Sequence, residues 1–145
     1  MRTKLREGWY APVYDDELDL KQSGIYEWRI EGVGLYVGKA KTLRSRIRHY
    51  PNNVRRMIDG KPWRGNSNRD FRDVHYHLRQ AYDDGTGVTV AVLELCEPAI
   101  RAERERYWIE RRREEHKAGG PQVLNATRRI EIDRLRDTPL RRIKN

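Results

Sequence analysis

Two short apolar runs, residues 24–30 and 35–38, lie on either side of a glycine-containing turn, and this pair limits what the chain can fold into. Apolar runs in this arrangement predict a β-hairpin. Each run carries one tyrosine, Tyr26 in the first and Tyr36 in the second. Gly38 ends the second run, so two phenols lie close to the segment that follows.

A helical pattern follows the hairpin. Its apolar residues recur at i, i+4 and i+7, at Leu43, Ile47 and Tyr50, as one face of a helix requires. Thr42 stands just before the first of them and is the predicted N-cap. Basic residues surround this stripe, namely Arg44, Arg46 and Arg48. The sequence therefore predicts a hairpin that leads into a basic helix.

The rest of the chain contains a loop, two helices and a strand. Residues 51–67 have the composition of a loop, with one helical turn around 54–58. An apolar stripe over 69–82 predicts a helix. Residues 88–95 are mostly β-branched and apolar, which makes them the clearest strand in the chain. A second helix is expected over 98–117, opened by a proline.

These elements predict an α/β fold with one small central sheet. We expect three antiparallel strands, 24–30, 35–38 and 88–95, with helices around them. Residues 1–22 are expected to form an N-terminal arm packed by its aromatic side chains. The main domain would cover 23–127, followed by a basic C-terminal tail over 128–145.

The charge of the chain indicates an anionic partner. Its 145 residues carry 31 Lys and Arg against 22 Asp and Glu, a formal net charge of +9. The excess is concentrated, because residues 41–79 hold eleven basic and three acidic side chains. Clustered basic charge of this kind is typical of nucleic-acid binding.

Other functional classes have little support in the sequence. Cys96 is the only cysteine, which excludes an intramolecular disulfide and a thiolate metal cluster, and we expect it to be a buried apolar residue. No apolar run is long enough to span a membrane. We therefore expect a cytoplasmic protein without a membrane partner.

Glu105 differs from the other acidic residues of the second helix. Its neighbours one turn away are Ala102, Trp108 and Ile109, so the carboxylate leans toward the apolar face. Such a carboxylate is costly unless it is paired or bound to a cation. Two alternatives stay open: an ion pair with Arg101, and a different register in which Glu103 is the ligand.

The motifs resemble those of the GIY-YIG nuclease family. Gly24-Ile25-Tyr26 and Tyr36-Val37-Gly38 are similar to its paired signature, with the tyrosines ten positions apart. The similarity continues through Leu43 and Arg46, the family's helix arginine, and through 104–109 and 123–127, which resemble its glutamate helix and its asparagine segment. Lys39-Ala40-Lys41 is also similar to excision-repair nucleases, and the glutamate helix to homing and restriction enzymes.

The resemblance implies a metal-dependent endonuclease that hydrolyses DNA phosphodiester bonds. Tyr26 would be the general base and Tyr36 a positioning phenol, although the sequence does not separate the two. Arg46 would clamp the phosphate, and Glu105 would hold a single Mg²⁺ or Mn²⁺. Asn125 would hold a loop or contact a phosphate. Open alternatives are a non-catalytic DNA-binding module on the same fold and an RNA-directed nuclease.

DNA is the expected partner, with duplex ahead of single strands, and a homodimer on the substrate stays open. The side chains expected to grip DNA are basic or aromatic and follow the hairpin. Trp63 would either stack on a base or hold its loop to the core. The expected set is Lys39, Lys41, Arg44, Arg48, His49, Arg55, Arg56, Trp63, Arg64, Arg69 and Arg72.

Overall fold

The structure, a computed structural model, describes residues 2–61 and 73–125. These residues form four strands and three α-helices, which confirms the α/β class. In chain order the elements are β1 (Ala11–Pro12), β2 (Gly24–Ile30), β3 (Gly34–Ala40), α1 (Leu43–Ile58), α2 (Asp73–Asp84), β4 (Val88–Leu95) and α3 (Arg101–Lys117). A 3₁₀ turn, Pro98–Ile100, leads directly into α3.

Several of the residues expected to bind DNA are not among those that the structure describes. Trp63, Arg64, Arg69 and Arg72 lie outside the described residues, as do the start of the helix expected over 69–82 and the tail over 128–145. The remaining expected contacts, from Lys39 to Arg56, are described.

The sheet is mixed and has the strand order β1-β4-β2-β3. The three expected strands are present and antiparallel, but the expected number was wrong, because β1 adds a fourth strand parallel to β4. Only Ala11 and Pro12 form this strand, opposite Thr89 and Val90. Two residues that include a proline carry no strand period, and proline is tolerated there because β1 is an edge strand.

Strand β2 lies at the centre and pairs antiparallel with both β3 and β4. Its side chains alternate between the two faces of the sheet. Tyr26 and Trp28 join the core that packs against α1 and α2. Ile25 belongs to a smaller cluster on the face covered by α3. The sheet therefore separates two helical layers, and β3 forms its edge between them.

Cys96 belongs to the α3 side of the molecule. It is half-buried and packs against the cluster formed by Ile25, Leu35 and Val37. Burial raises the pKa of the Cys96 thiol above its ordinary value. The thiol is therefore protonated at neutral pH and acts as a small apolar side chain, as expected from the sequence.

Helix α1 is longer than expected, because it continues through Pro51 to Ile58. A proline inside a helix costs about 3 kcal/mol. Tyr50 just before the proline and Val54 beyond it lie on the apolar face and are fully buried. Burying such a side chain is worth about 1.5–3 kcal/mol each, which offsets the proline. Thr42 does occupy the N-cap position, but its side chain makes no capping hydrogen bond.

The N-terminal segment packs on the core, as predicted from its aromatic residues. Trp9 is buried and makes edge-to-face contacts with Tyr10 and Tyr82. Arg44 N–H donates to the Leu20 carbonyl at 2.8 Å, which ties this segment to the first turn of α1. Across the described residues, no helix combines the length and the apolar character that membrane crossing requires.

Candidate functional site

One cavity of about 670 Å³ collects all five residues that the sequence marks as catalytic. It lies along edge strand β3, between the start of α1 and one face of α3. Tyr26 and Tyr36 come from the hairpin, and Arg46 from α1. Glu105 comes from α3, and Asn125 follows that helix. Residues up to 99 positions apart in the sequence thus border a single space.

The phenol of Tyr26 reaches the cavity although its side chain is only 1% exposed. Tyr26 is paired across the hairpin with Gly38, which has no side chain to cover the ring. A Cβ at Gly38 would overlap the hydroxyl end of that ring. On the core side, the Tyr26 hydroxyl is hydrogen-bonded to the Tyr50 hydroxyl. The glycine and the second tyrosine together fix the position of the phenol.

Gly38→Ala is therefore expected to destabilise the fold by about 1–3 kcal/mol, because the added methyl overpacks a buried ring. The cost depends on the ring, so Tyr26→Leu, which removes the overlapping atoms, should reduce it to below about 1 kcal/mol. Urea unfolding of the two single variants and the double variant measures this coupling. Equal cost of Gly38→Ala in both backgrounds would contradict the close contact.

Helix α3 is held to the sheet by charged side chains as well as by apolar contacts of Trp108 and Ile109, although none of its residues is fully buried. The Arg104 guanidinium donates to Glu94 on β4 through Nε and Nη2, each at 2.8 Å. Trp108 Nε1 donates to the same carboxylate, also at 2.8 Å. Further along the helix, Arg112 Nε donates to the buried Glu27 on β2 at 2.6 Å. These contacts lie before and after Glu105, and they set the position of its helix over the cavity.

Glu94→Gln is expected to lower stability at pH 7 and to have little effect in acid. Hydrogen bonds from Arg104 hold the pKa of the Glu94 carboxyl below its usual value. Such a depressed pKa stabilises the fold above the unfolded-state pKa of about 4.3, and this stabilisation is lost as the pH falls through the folded-state value. Urea midpoints of both proteins at pH 7 and at acid pH test this. A stability difference that grows as the pH falls would contradict the assignment.

The Glu105 carboxylate is partly shielded, with 23% of its side chain exposed. Its ion-pair partner is Lys39 on β3, with 3.6 Å between Nζ and Oε1. The alternative pairing with Arg101 is not the one found among the described residues. Glu103, the alternative ligand, is exposed and does not line the cavity. The geometry therefore favours Glu105 as the carboxylate that faces the cavity.

Asn125 uses its side-chain amide to hold β3. Its Oδ1 accepts from Val37 N–H at 3.0 Å, and its Nδ2 donates to the Val37 carbonyl at 2.8 Å. The Asn125 carbonyl in turn accepts from Arg113 of α3 at 3.1 Å. Of the two roles open from the sequence, these contacts support holding the backbone. Asn125 links the hairpin to α3 next to Tyr36 and Gly38.

Only part of the expected DNA-binding set lies at the cavity. Lys39 and Lys41 line it together with Arg46. Five other expected residues are described but do not line it: Arg44, Arg48, His49, Arg55 and Arg56. Arg55 and Arg56 lie half-buried in the last turn of α1. These five residues of α1 therefore form a basic surface separate from the cavity.

Sequence reasoning missed the arginines of α3 that line the cavity, Arg101, Arg106 and Arg113. Arg101 lies four residues before Glu105, one turn away on the same side of the helix, and this spacing could have identified it. Arg106 directly follows Glu105, and Arg113 lies seven residues beyond Arg106, so these two share a different stripe of the helix, and spacing from Glu105 does not identify them. The hydrogen bond between the hydroxyls of Tyr50 and Tyr26 was also missed, because no local pattern in the sequence links the two residues.

A divalent cation in this cavity would need further ligands from water and substrate. Among the described residues, no group of three or more His, Cys, Asp or Glu side chains could bind a metal. Glu105 and Glu110 are the acidic side chains lining the cavity. Mg²⁺ is commonly bound by one or two carboxylates, several waters and substrate phosphates. The residues present fit that kind of site, and the ligand assigned to it is Glu105.

Comparisons of the chain with protein-family models, with curated proteins and with solved structures found no match.

Proposed function

We propose that this protein is a divalent-metal-dependent endonuclease that hydrolyses phosphodiester bonds in DNA. The observation that carries the proposal is the convergence of Tyr26, Tyr36, Arg46 and Glu105 on one cavity lined with basic side chains. Two phenols, a guanidinium and a carboxylate are the groups needed for a base, a phosphate clamp and a cation ligand. The resemblance to GIY-YIG nucleases supports the same roles.

The roles of the residues follow from the charge of the reaction. Hydrolysis of a phosphodiester adds negative charge to the phosphate oxygens as water attacks. The planar Arg46 guanidinium binds two such oxygens at once. A bound divalent cation would stabilise charge on the phosphate and the leaving oxygen. Tyr26 is assigned to accept the proton of the attacking water, and Tyr36 to orient that water.

Asn125 is assigned a positioning role rather than contact with substrate. Its amide fixes the backbone of Val37, the residue between Tyr36 and Gly38. The Tyr36 phenol therefore depends on Asn125 for its orientation. This role also connects the hairpin to the helix that carries Glu105, through the contact with Arg113.

A cleavage assay tests the proposal. The purified protein is incubated with single- and double-stranded DNA and RNA, with Mg²⁺, with Mn²⁺ and with a chelator. We expect cleavage of DNA that needs the metal and stops with the chelator. Binding of DNA without cleavage under all conditions would instead favour the non-catalytic module. Metal-dependent cleavage confined to RNA would favour the RNA-directed nuclease.

A further inference from the structure

The six arginines of α3 fall into two groups that differ in their partners. Three of them do not line the cavity, and each forms an ion pair with a carboxylate. These pairs are Arg104 with Glu94 at 2.8 Å, Arg111 with Glu115 at 3.6 Å, and Arg112 with Glu27 at 2.6 Å. The charges of these three arginines are therefore balanced by carboxylates of the protein itself.

The second group of arginines lines the cavity, and no carboxylate balances their charges in this way. Arg101, Arg106 and Arg113 form no ion pair with any acid in residues 2–61 and 73–125. Arg113 donates to the Asn125 carbonyl, and Arg101 has a long contact of 3.5 Å with the Pro98 carbonyl. The division follows the cavity, since the arginines without a carboxylate are those that line it.

The cavity as a whole is strongly basic. Six Lys and Arg side chains line it against two Glu side chains, and one of these, Glu105, is already paired with Lys39. Like charges gathered around one space repel each other, and this repulsion is relieved when an anion enters. A single phosphate would occupy only part of a cavity of about 670 Å³. Several backbone phosphates in succession match this distribution of charge better.

We propose that Arg101, Arg106 and Arg113 form a second wall of the substrate cleft and bind backbone phosphates next to the one that is cleaved. The inference rests on the proposed function and adds the path of the substrate strand. Lys41 and Arg46 line the same cavity on the side of α1. They contact the substrate strand from the side opposite α3. The strand therefore runs along α3, and the arginines at the end of α1 are not its main contact.

The test measures binding separately from cleavage. In the Glu105→Gln background, with chelator present, the affinity for a labelled DNA duplex and a labelled single strand is measured over a series of salt concentrations. The test variant is Arg101→Gln/Arg106→Gln. The matched control is Arg111→Gln/Lys117→Gln, which removes the same charge from the same helix outside the cavity. Arg113 is left intact because it also contacts Asn125.

The test variant should lower the slope of log affinity against log salt by about 1.8 for duplex DNA, or about 1.4 for a single strand. Between about 50 and about 200 mM salt, its affinity for duplex should then fall about tenfold less than that of the parent. The control should keep the parental slope. Thermal melting of all variants verifies that the helix stays folded.

Different results separate this inference from the proposed function. If the parent binds DNA and the wild type cleaves it, but test and control variants have the same slope, the α3 wall is overturned and the nuclease proposal stands. If the parent binds neither probe at any salt concentration, the proposed function fails, and the wall fails with it.

Discussion

Glu105→Gln is expected to abolish cleavage while DNA binding persists. Glutamine keeps the size of the side chain but removes the charge that would hold a divalent cation. A bound cation supplies several kcal/mol of charge stabilisation in phosphoryl chemistry, so the rate should fall by about 10³-fold or more. Lys39 would lose its carboxylate partner, which adds positive charge to the cavity and should leave affinity for DNA equal or higher.

Single-turnover cleavage with Mg²⁺, together with binding measured in chelator, separates these effects. Glu103→Gln is the matched control, because Glu103 lies exposed on the same helix and does not line the cavity. The control should cleave at close to the normal rate. Near-normal turnover of Glu105→Gln would reject Glu105 as the ligand. A loss confined to Glu103→Gln would move the ligand to the alternative register.

Tyr26→Phe is expected to remove most of the cleavage rate and its dependence on pH. The ring stays in the core, and only the hydroxyl that would accept the proton is lost. General-base catalysis is typically worth about 10²–10⁴-fold in rate. Tyr36→Phe should give a slower enzyme with the same pH profile, since a hydroxyl that only orients water does not titrate in the step.

Tyr50→Phe is the control for the buried contact. Tyr26→Phe also breaks the hydrogen bond to Tyr50, so a loss of rate could come from that bond alone. Tyr50→Phe breaks the same bond but keeps the Tyr26 hydroxyl. A hydroxyl that donates to a phenolate favours its charged form, so this variant should stay active with a profile displaced to higher pH.

Single-turnover rates across pH for the three variants decide the roles of the phenols. If Tyr36→Phe loses the pH dependence and Tyr26→Phe keeps it, the two assignments are reversed. If both keep it, neither phenol is the base. Equal loss in Tyr26→Phe and Tyr50→Phe would make the hydrogen bond, rather than proton transfer, the cause.

Local patterns in the sequence were sufficient for the main elements. The hairpin, the strand over 88–95 and the helix expected over 98–117 were all predicted, and the α-helix itself begins at Arg101 after a 3₁₀ turn. Apolar period, glycine and proline report directly on backbone conformation. The same reasoning placed Glu105 near the apolar face of its helix. Helical spacing depends only on residues close together in the chain, so it can be read without knowledge of the fold.

Contacts between distant segments were decided by the tertiary structure alone. The pairing of Ala11 and Pro12 with β4 depends on an open sheet edge that no local period reveals. Helix α1 continues through Pro51 because the core buries Val54 beyond it, and a local rule reads only the proline. Burial and pairing are energies between residues far apart in sequence, which local propensity does not contain.

The division of the basic residues shows the same limit. Lys39 and Arg55 look alike in the sequence, and only the packing of β3 beside α3 brings the first to the cavity and leaves the second outside. The positions of Glu27 and Glu94 in the sheet decide that Arg112 and Arg104 of α3 are paired. The sign of each charge can be read from the sequence. Whether an opposite charge balances it depends on which side chains the fold brings within a few ångströms.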